Sequence, residues 1–391
     1  MTADQFPQGF MWGTATAAHQ IEGGNTNNDW WDFEHAPGTI VAESSGDGCD
    51  SWHRFGEDLD LVAELGLSAY RFSVEWSRIE PADGEFSVVA LDHYRRVLDG
   101  CHARGLAPVV TFHHFTTPRW WAAQGGWEHP EAPERFAAFV ERTTAALGDG
   151  LAMACTINEP NIVTLMGYRR GYFPPAVRDR ARTDLVAEHF CRGHRAAVDA
   201  LRAGPGDFPI GLTLSMGGWQ AVDGGEERLA QLRAEHEDRY LAATTGDDFI
   251  GVQCYSRTLV GPEGVREPAA GARLTQMGYE FWPSCVGETV RRAAAVTGLP
   301  VYITENGIGT EDDAERIEYL GAALDEAAAC VAEGIDLRGY FCWSLLDNFK
   351  WVYGYGPKFG LVACDRETFA RTPKPSAHFF GACARANARI D

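Results

Sequence analysis

Short apolar runs alternate along the chain with longer segments in which apolar residues recur every three or four positions. Continuous apolar runs of this length are typical of buried strands, and the longer spacing is typical of amphipathic helices. Trp52, Phe55, Leu59 and Val62, for example, share one helical face. The runs predict eight strands: Phe10–Ala18, Leu67–Val74, Leu106–Phe115, Met153–Pro160, Pro209–Gly218, Asp248–Ser256, Pro300–Gly307 and Leu337–Asp347.

Buried strands that alternate with helices predict a parallel sheet whose outer face is covered by helices. Eight such units predict a closed (β/α)8 TIM barrel, in which functional residues gather at the carboxyl ends of the strands. No shift in composition and no linker rich in Pro, Gly or Ser divides the chain. We therefore expect one domain over residues 1–391.

Composition and charge narrow the function. The chain has 34 Lys and Arg against 55 Asp and Glu, a net charge of −21, which argues against nucleic acid or an anionic membrane as partner. No apolar stretch is long enough for a transmembrane helix, and the first residues lack the pattern of a signal peptide. The ten dispersed cysteines are expected to be buried free thiols in a reducing compartment, which favours a cytoplasmic location.

Two of the predicted strands end in a carboxylate. The run from Val301 leads to Glu305, and the run from Met153 leads to Glu159. A carboxylate at the end of a buried strand is costly to desolvate, so it is either paired in a structural salt bridge or used chemically. Two carboxylates that face each other across a barrel mouth have the geometry that breaks glycosidic bonds.

The other strand ends carry polar and aromatic residues suited to a sugar, whose hydroxyls need hydrogen-bond partners and whose C–H face stacks on aromatic rings. Only the fifth strand offers little that is polar. The candidates are His19, Gln20, Glu22, Arg71, Glu75, His113, His114, Asn158, Tyr255, Asn306, Trp343, Ser344, Asp347, Asn348, Lys350 and Trp351.

The two-carboxylate mechanism assigns a role to each glutamate. Glu305 is expected to be the nucleophile, because Arg71 and Tyr255 can hold it as an anion. Glu159 is then the acid/base, with its pKa raised by the neighbouring charge and by burial. A retaining reaction needs the carboxyl groups about 5–5.5 Å apart and an inverting one about 6.5–9.5 Å.

Several motifs resemble those of family 1 glycoside hydrolases, the retaining β-glucosidase-like (β/α)8 enzymes. The resemblance extends from Phe6 to about residue 380. The motifs are Phe10–Thr16 with Gln20–Gly23, Tyr70–Ser73 with Trp76–Ile79, Thr156–Asn161, Ile303–Gly307, Trp343–Phe349 and Phe359–Val362.

The resemblance implies roles for individual residues. Gln20, His114 and Asn158 would bind the hydroxyls of the glycone, the sugar that is transferred. Trp343 would form the stacking floor, and Trp351 would contact the 3- and 4-hydroxyls. Arg71 and Tyr255 would position Glu305. The substrate would be a small β-glycoside or an oligosaccharide. Independently of the resemblance, His113 and His114 are adjacent rather than spaced for chelation, and no Gly-x-Gly-x-x-Gly motif or P-loop occurs. We therefore expect no metal and no cofactor.

Lys350 departs from the family pattern, which has a glutamate that binds the 4- and 6-hydroxyls. In one interpretation the lysine turns away or donates to hydroxyl oxygens, and the enzyme is an ordinary β-glucosidase. In the other it selects a glycone that is anionic or altered at C6, such as a uronic acid or a 6-phosphate.

Four other questions stay open at this point. The first is whether the chain is a hydrolase, a transglycosylase or a non-catalytic sugar-binding barrel. The second is whether His113 belongs to the core or to the site. The third is whether four tryptophans line the mouth of the barrel or only pack, namely Trp120, Trp121, Trp127 and Trp282. The fourth is the oligomeric state, which the sequence does not determine.

Overall fold

A computed structural model describes residues 5–390. Eight parallel strands form a closed barrel in which each strand pairs with its neighbours in the sequence and the last pairs with the first. This confirms the (β/α)8 prediction. The strands are β1 (Met11–Ala15), β2 (Ala69–Ser73), β3 (Ala107–His113), β4 (Met153–Asn158), β5 (Ile210–Ser215), β6 (Phe249–Gln253), β7 (Val301–Asn306) and β8 (Leu337–Trp343).

One principal helix follows each strand. These helices are α1 (Ser51–Glu64), α2 (Val88–Ala103), α3 (Ala132–Leu147), α4 (Arg180–Ala203), α5 (Glu226–Arg233), α6 (Cys285–Thr297), α7 (Asp313–Ala332) and α8 (Pro375–Ala386). All but the fifth pack on the outside of the barrel, and the fifth packs through Leu229 and Leu232 against a small additional sheet. Helix α5 continues through the π-helical turn Ala234–Asp238 into the helix Arg239–Ala243. Shorter helices lie in the connections, at Ala18–Ile21, Asp29–Glu34, Trp76–Ile79, Arg119–Ala122 and Pro160–Val163, followed by the π-helical Thr164–Arg170.

Local sequence determines where several of these helices begin. The side chains of Ser87, Asp179 and Asp312 accept hydrogen bonds from backbone N–H groups in the first turns of α2, α4 and α7. Each such cap satisfies one of the donors that a helix leaves unpaired at its start. The caps therefore mark the residues at which these three helices begin.

The core has two layers, which follow from the alternation of side chains along each strand. On β7, Val301 and Ile303 pack against the helices, whereas Tyr302 points into the barrel. Met153, Cys155 and other interior residues fill the barrel from below, so that it is packed rather than hollow. The open space lies above them, at the carboxyl ends of the strands.

Connections at this end of the barrel form additional structure. After β5 and β6 the chain forms a three-stranded sheet from Gly218–Ala221, Arg257–Gly261 and Gly264–Arg266. After β8 comes the 3-10 turn Trp351–Tyr353, and a two-stranded sheet from Val362–Cys364 and Arg371–Pro373 follows. Within residues 5–390 no helix is both long and apolar enough to cross a membrane.

Candidate active site

A cavity of about 160 Å³ opens at the carboxyl ends of the barrel strands. It brings together residues that the sequence analysis took from six different strand ends. The predicted residues that line it are Gln20, His114, Glu159, Tyr255, Glu305, Trp343, Lys350 and Trp351. Arg71 and Asn158 do not line the cavity, and they lie against its wall through hydrogen bonds to the lining side chains.

Glu305 is the penultimate residue of β7 and is almost fully buried. Both of its carboxylate oxygens accept a hydrogen bond. Arg71 Nη1 donates to Oε1 over 2.7 Å, and the Tyr255 hydroxyl donates to Oε2 over 2.5 Å. Two donors from different strand ends therefore fix the orientation of this carboxylate, and one of them carries a full positive charge.

Arg71 joins three strand ends. Besides Glu305 on β7, it donates through Nη2 to Asn158 Oδ1 on β4 over 2.6 Å. Asn158 Oδ1 also accepts from Gln253 Nε2 over 2.7 Å, and its Nδ2 lies 3.2 Å from His114 Nε2. Burial, followed by the charge of Arg71, holds the pKa of His114 well below its ordinary value, so this imidazole is neutral.

Glu159 follows β4 directly and precedes the helix Pro160–Val163, and it is 8% exposed. Burial and, to a smaller extent, the negative charge of Glu305 raise its pKa from 4.5 to about 8. The positive charge of Lys350 acts in the opposite direction. Glu159 is therefore protonated at neutral pH, beside a second carboxyl group that is held by two donors.

Three residues of this wall have a left-handed backbone, which costs about 1–2 kcal/mol for a residue other than glycine. They are Phe115 (φ 74°), Glu159 (φ 45°) and Trp351 (φ 54°). All three line the same cavity. Such strain persists only where the surrounding structure enforces it, and it is concentrated at functional sites.

Other polar atoms at the cavity have no partner in the part of the chain that the structure describes. Gln20 donates through Nε2 to the Phe349 carbonyl, while its Oε1 is buried and without a hydrogen bond. The Trp343 indole N–H and His114 Nδ1 are also buried and without a hydrogen bond. Buried polar groups are normally paired. These atoms are therefore available to the hydroxyl groups of a ligand.

Lys350 lies in the connection after β8, and it does not turn away from the cavity. Its ammonium nitrogen lies 4.6 Å from the ring centre of Phe359, 5.3 Å from that of Trp343 and 5.5 Å from that of Tyr255. Burial lowers its pKa, and the negative charges of Glu305 and Glu159 oppose this change. The expectation that the lysine could turn away is thus wrong, while donation to the hydroxyl oxygens of an ordinary glucoside stays open beside selection of an anionic glycone.

A wider cavity of about 410 Å³ adjoins the first and shares Ile162, Ser215, Tyr255 and Tyr279 with it. Its remaining wall is formed partly by the additional sheet and includes Trp219. The first cavity, called the deep cavity below, is lined by both glutamates, and the wider cavity lies beside it.

Some of the candidate residues lie outside the cavities. His113 packs against Trp127, Phe136 and Phe190, and the Trp127 indole N–H lies 3.1 Å from its Nε2. This places His113 in the core. The four tryptophans left open also pack outside both cavities. Among the remaining candidates His19, Glu22, Glu75, Asn306, Ser344, Asp347 and Asn348 are buried and line neither cavity.

The sequence analysis missed residues that complete the site. The fifth strand, expected to offer little that is polar, supplies Thr213 beside Arg71 and Asn158, and Ser215 on the cavity wall. Phe359 and Tyr279 come from connections. The polar Thr213 and Ser215 alternate with apolar residues at the end of a strand, and this pattern could have identified them.

The chain is similar to known proteins over almost its whole length. The sequence matches the family described as "Glycosyl hydrolase family 1" over residues 2–260 and 263–389. Beta-glucosidase A of Thermotoga maritima is 31% identical over all of both chains. The crystal structure of beta-glycosidase BGL167 is 47% identical with a TM-score of 0.92, covering 99% of this chain and 98% of that one. The beta-glucosidase of Thermotoga maritima in complex with glucoimidazole is 30% identical with a TM-score of 0.93, covering 98% and 99%.

Proposed function

The chain belongs to glycosyl hydrolase family 1, and from this premise we propose that it is a retaining exo-β-glycosidase with Glu305 as nucleophile and Glu159 as acid/base. The observation that carries the assignment is the difference between two carboxyl groups in one cavity. Glu305 is held by Arg71 and Tyr255, whereas the pKa of Glu159 is raised to about 8. Carboxyl groups whose environments separate them in this way are suited to opposite roles.

In the first step a Glu305 oxygen attacks the anomeric carbon of the bound glycoside. The bond from that carbon to the leaving oxygen breaks, and the proton of Glu159 goes to this oxygen. Arg71 and Tyr255 keep the attacking carboxylate oriented. The product of the step is a covalent glycosyl-enzyme, and the aglycone leaves through the wider cavity.

The second step reverses the role of Glu159. Once Glu305 is esterified it carries no charge, so one of the two causes that raise the pKa of Glu159 disappears. Glu159 is then a carboxylate that takes a proton from water. The water oxygen attacks the anomeric carbon, and the bond to Glu305 breaks. Two inversions retain the β configuration.

The glycone would be held by the polar atoms that have no protein partner. Gln20 Oε1 accepts from one hydroxyl and His114 Nδ1 contacts another. Asn158, whose amide is already paired within the protein, supports His114 from behind the cavity wall. Trp343 provides a flat apolar surface, and Trp351 closes the wall beside it. A deep cavity of about 160 Å³ accommodates one ring, which supports removal of single terminal sugars.

The test is azide rescue of the Glu305→Gly variant with a 4-nitrophenyl β-glucoside. We expect no turnover without azide, and α-glucosyl azide as product with it, because azide enters the space of the missing carboxylate. Glu267→Gly is the control, since Glu267 lies exposed on the rim of the wider cavity. Full activity of Glu305→Gly without azide, or a β-azide from it, would overturn the assignment. Methanol as a second acceptor distinguishes hydrolysis from transfer, since a transferase forms methyl glucoside in preference to glucose.

A further inference from the structure

Lys350 is unlike the other lysines of this protein. The sequence contains only three lysines. Lys374 donates to Asp347 and to the Gly360 carbonyl, each over 2.8 Å, and Lys358 donates to the Tyr355 carbonyl over 2.9 Å. The Lys350 ammonium makes no hydrogen bond and no close ion pair within residues 5–390, although it lines the deep cavity. A charge in this position is costly unless something pairs with it.

The backbone fixes Lys350 in this position. Its N–H donates to the Gly354 carbonyl over 2.6 Å, which closes the tight turn that follows. The preceding residue, Phe349, accepts from Gln20 Nε2 through its carbonyl. Lys350 therefore belongs to a connection that is tied to the end of β1, and its ammonium is presented between three aromatic rings.

Lys350 differs from Arg71 in having no direct partner at the cavity. Arg71 pairs with Glu305 over 2.7 Å, whereas the Lys350 ammonium makes no salt bridge within residues 5–390 and lies against aromatic rings. Burial lowers its pKa and neighbouring negative charge opposes this change. A carboxylate on a ligand would therefore stabilise the charged form of Lys350 and pair with it.

The geometry points to a glycone that carries one carboxylate, and since a hexose carries its carboxylate at C6 in the uronic acid form, the natural substrate is a β-linked hexuronide. This inference rests on the proposed function, because it requires the sugar ring to lie between Trp343 and the two glutamates. Its carboxylate would accept from the Lys350 ammonium, and a charge-assisted hydrogen bond of this kind is shorter and stronger than one to a hydroxyl.

A carboxylate fits this cavity better than a phosphate does. A phosphate group at C6 carries nearly two negative charges and three acceptor oxygens. The described wall offers one ammonium as its only cationic donor, and no arginine lines the deep cavity. A single ammonium matches the single negative charge of a carboxylate better than the nearly double charge of a phosphate.

The test compares 4-nitrophenyl β-D-glucuronide, β-D-glucoside and β-D-glucoside 6-phosphate as substrates of the full chain. We expect the highest kcat/KM for the glucuronide. Lys350→Met should lower kcat/KM for the glucuronide about 10- to 100-fold more than kcat/KM for the glucoside, as expected when a hydrogen bond to a charged group is lost. Lys350→Arg should retain part of the glucuronide activity, since it keeps the charge. Lys358→Met is the matched control and should leave all three substrates unaffected.

Several results would overturn the inference while leaving the proposed function intact. These are a wild-type preference for the glucoside, a preference for the 6-phosphate, or an equal loss on glucoside and glucuronide in Lys350→Met. If none of the three substrates is cleaved, the proposed function is overturned as well. Calorimetry with D-glucuronate and D-glucose gives a second measurement that needs no turnover. The wild type should bind glucuronate more tightly, and Lys350→Met should lose that difference.

Discussion

Replacing Tyr255 with phenylalanine removes one oxygen atom and, with it, the 2.5 Å hydrogen bond to Glu305 Oε2. The ring keeps its edge-to-face contact with Phe359, whose centre is 5.9 Å away. A hydrogen bond to a charged group contributes about 1.5–3 kcal/mol. At about 1.4 kcal/mol for each factor of ten, this corresponds to a decrease of about 10- to 150-fold in the rate of the affected step.

The affected step should be the second one. When the glycosyl-enzyme is hydrolysed, Glu305 is the leaving group and its charge returns, so the Tyr255 hydroxyl stabilises it in the transition state. In the first step the same charge is consumed, and losing the hydroxyl also makes the carboxylate more reactive. Tyr255→Phe should therefore accumulate the glycosyl-enzyme.

Stopped-flow kinetics with a 2,4-dinitrophenyl β-glycoside of the preferred glycone measures both steps. We expect a burst of 2,4-dinitrophenol equal in concentration to the enzyme. In the steady state that follows, kcat and KM should both be lower than in the wild type. Tyr279→Phe is the control, because Tyr279 lines the same cavity and is 41% exposed. Absence of a burst, together with an undiminished kcat, would refute the reasoning. So would a loss confined to kcat/KM, since that would place the hydroxyl in the first step.

Three further predictions follow from the site. Arg71→Met leaves the charge of Glu305 buried without its cation. Denaturant titration should therefore show a loss of about 3–5 kcal/mol in the free energy of unfolding. The control Arg180→Met breaks an exposed ion pair and should lower the free energy of unfolding by about 1 kcal/mol or less. The pKa of Glu159 is raised, so the proton needed for the first step is present at neutral pH and kcat/KM should fall as the pH rises through about 8; a pH profile that stays flat to pH 10 would contradict this. Trp219→Ala removes an aromatic wall of the wider cavity and should raise KM for aryl glycosides about 10-fold, without changing the rate at which a preformed glycosyl-enzyme is hydrolysed.

The sequence predicted the eight strands because each is an apolar run that contrasts with the amphipathic helix after it. The predicted strands were too long at their ends, and β8 shows the reason. The run that starts at Leu337 was expected to continue to Asp347, but the strand ends at Trp343. Beyond that residue the backbone pairs with distant connections, as when the Ser344 N–H donates to the Phe359 carbonyl. Such pairing has no local signal in an apolar sequence.

The same limit applies to the site. Glu159 and Glu305 were found because a carboxylate after an apolar run is conspicuous, and the parallel barrel brings all strand ends together. His113 could not be assigned. On β3, Val109 points into the barrel and Phe112 packs outside, so alternation places His113 inside, yet it contacts the outer layer. Trp219 and Tyr279 come from connections, whose direction depends on tertiary contacts.

The left-handed backbone at Phe115, Glu159 and Trp351 has a consequence for anyone who seeks a more heat-resistant variant of this protein. Glycine adopts that conformation without penalty, so Glu159→Gly should relieve strain and remove a buried carboxyl group in a single change. A screen that rewards survival on heating alone would therefore enrich inactive enzymes changed at position 159, whereas Phe115 and Trp351 are buried aromatic residues whose loss would destabilise the fold. Thermal stability and turnover have to be selected together here, because the backbone conformation that holds the reactive groups in place lowers the stability of the fold.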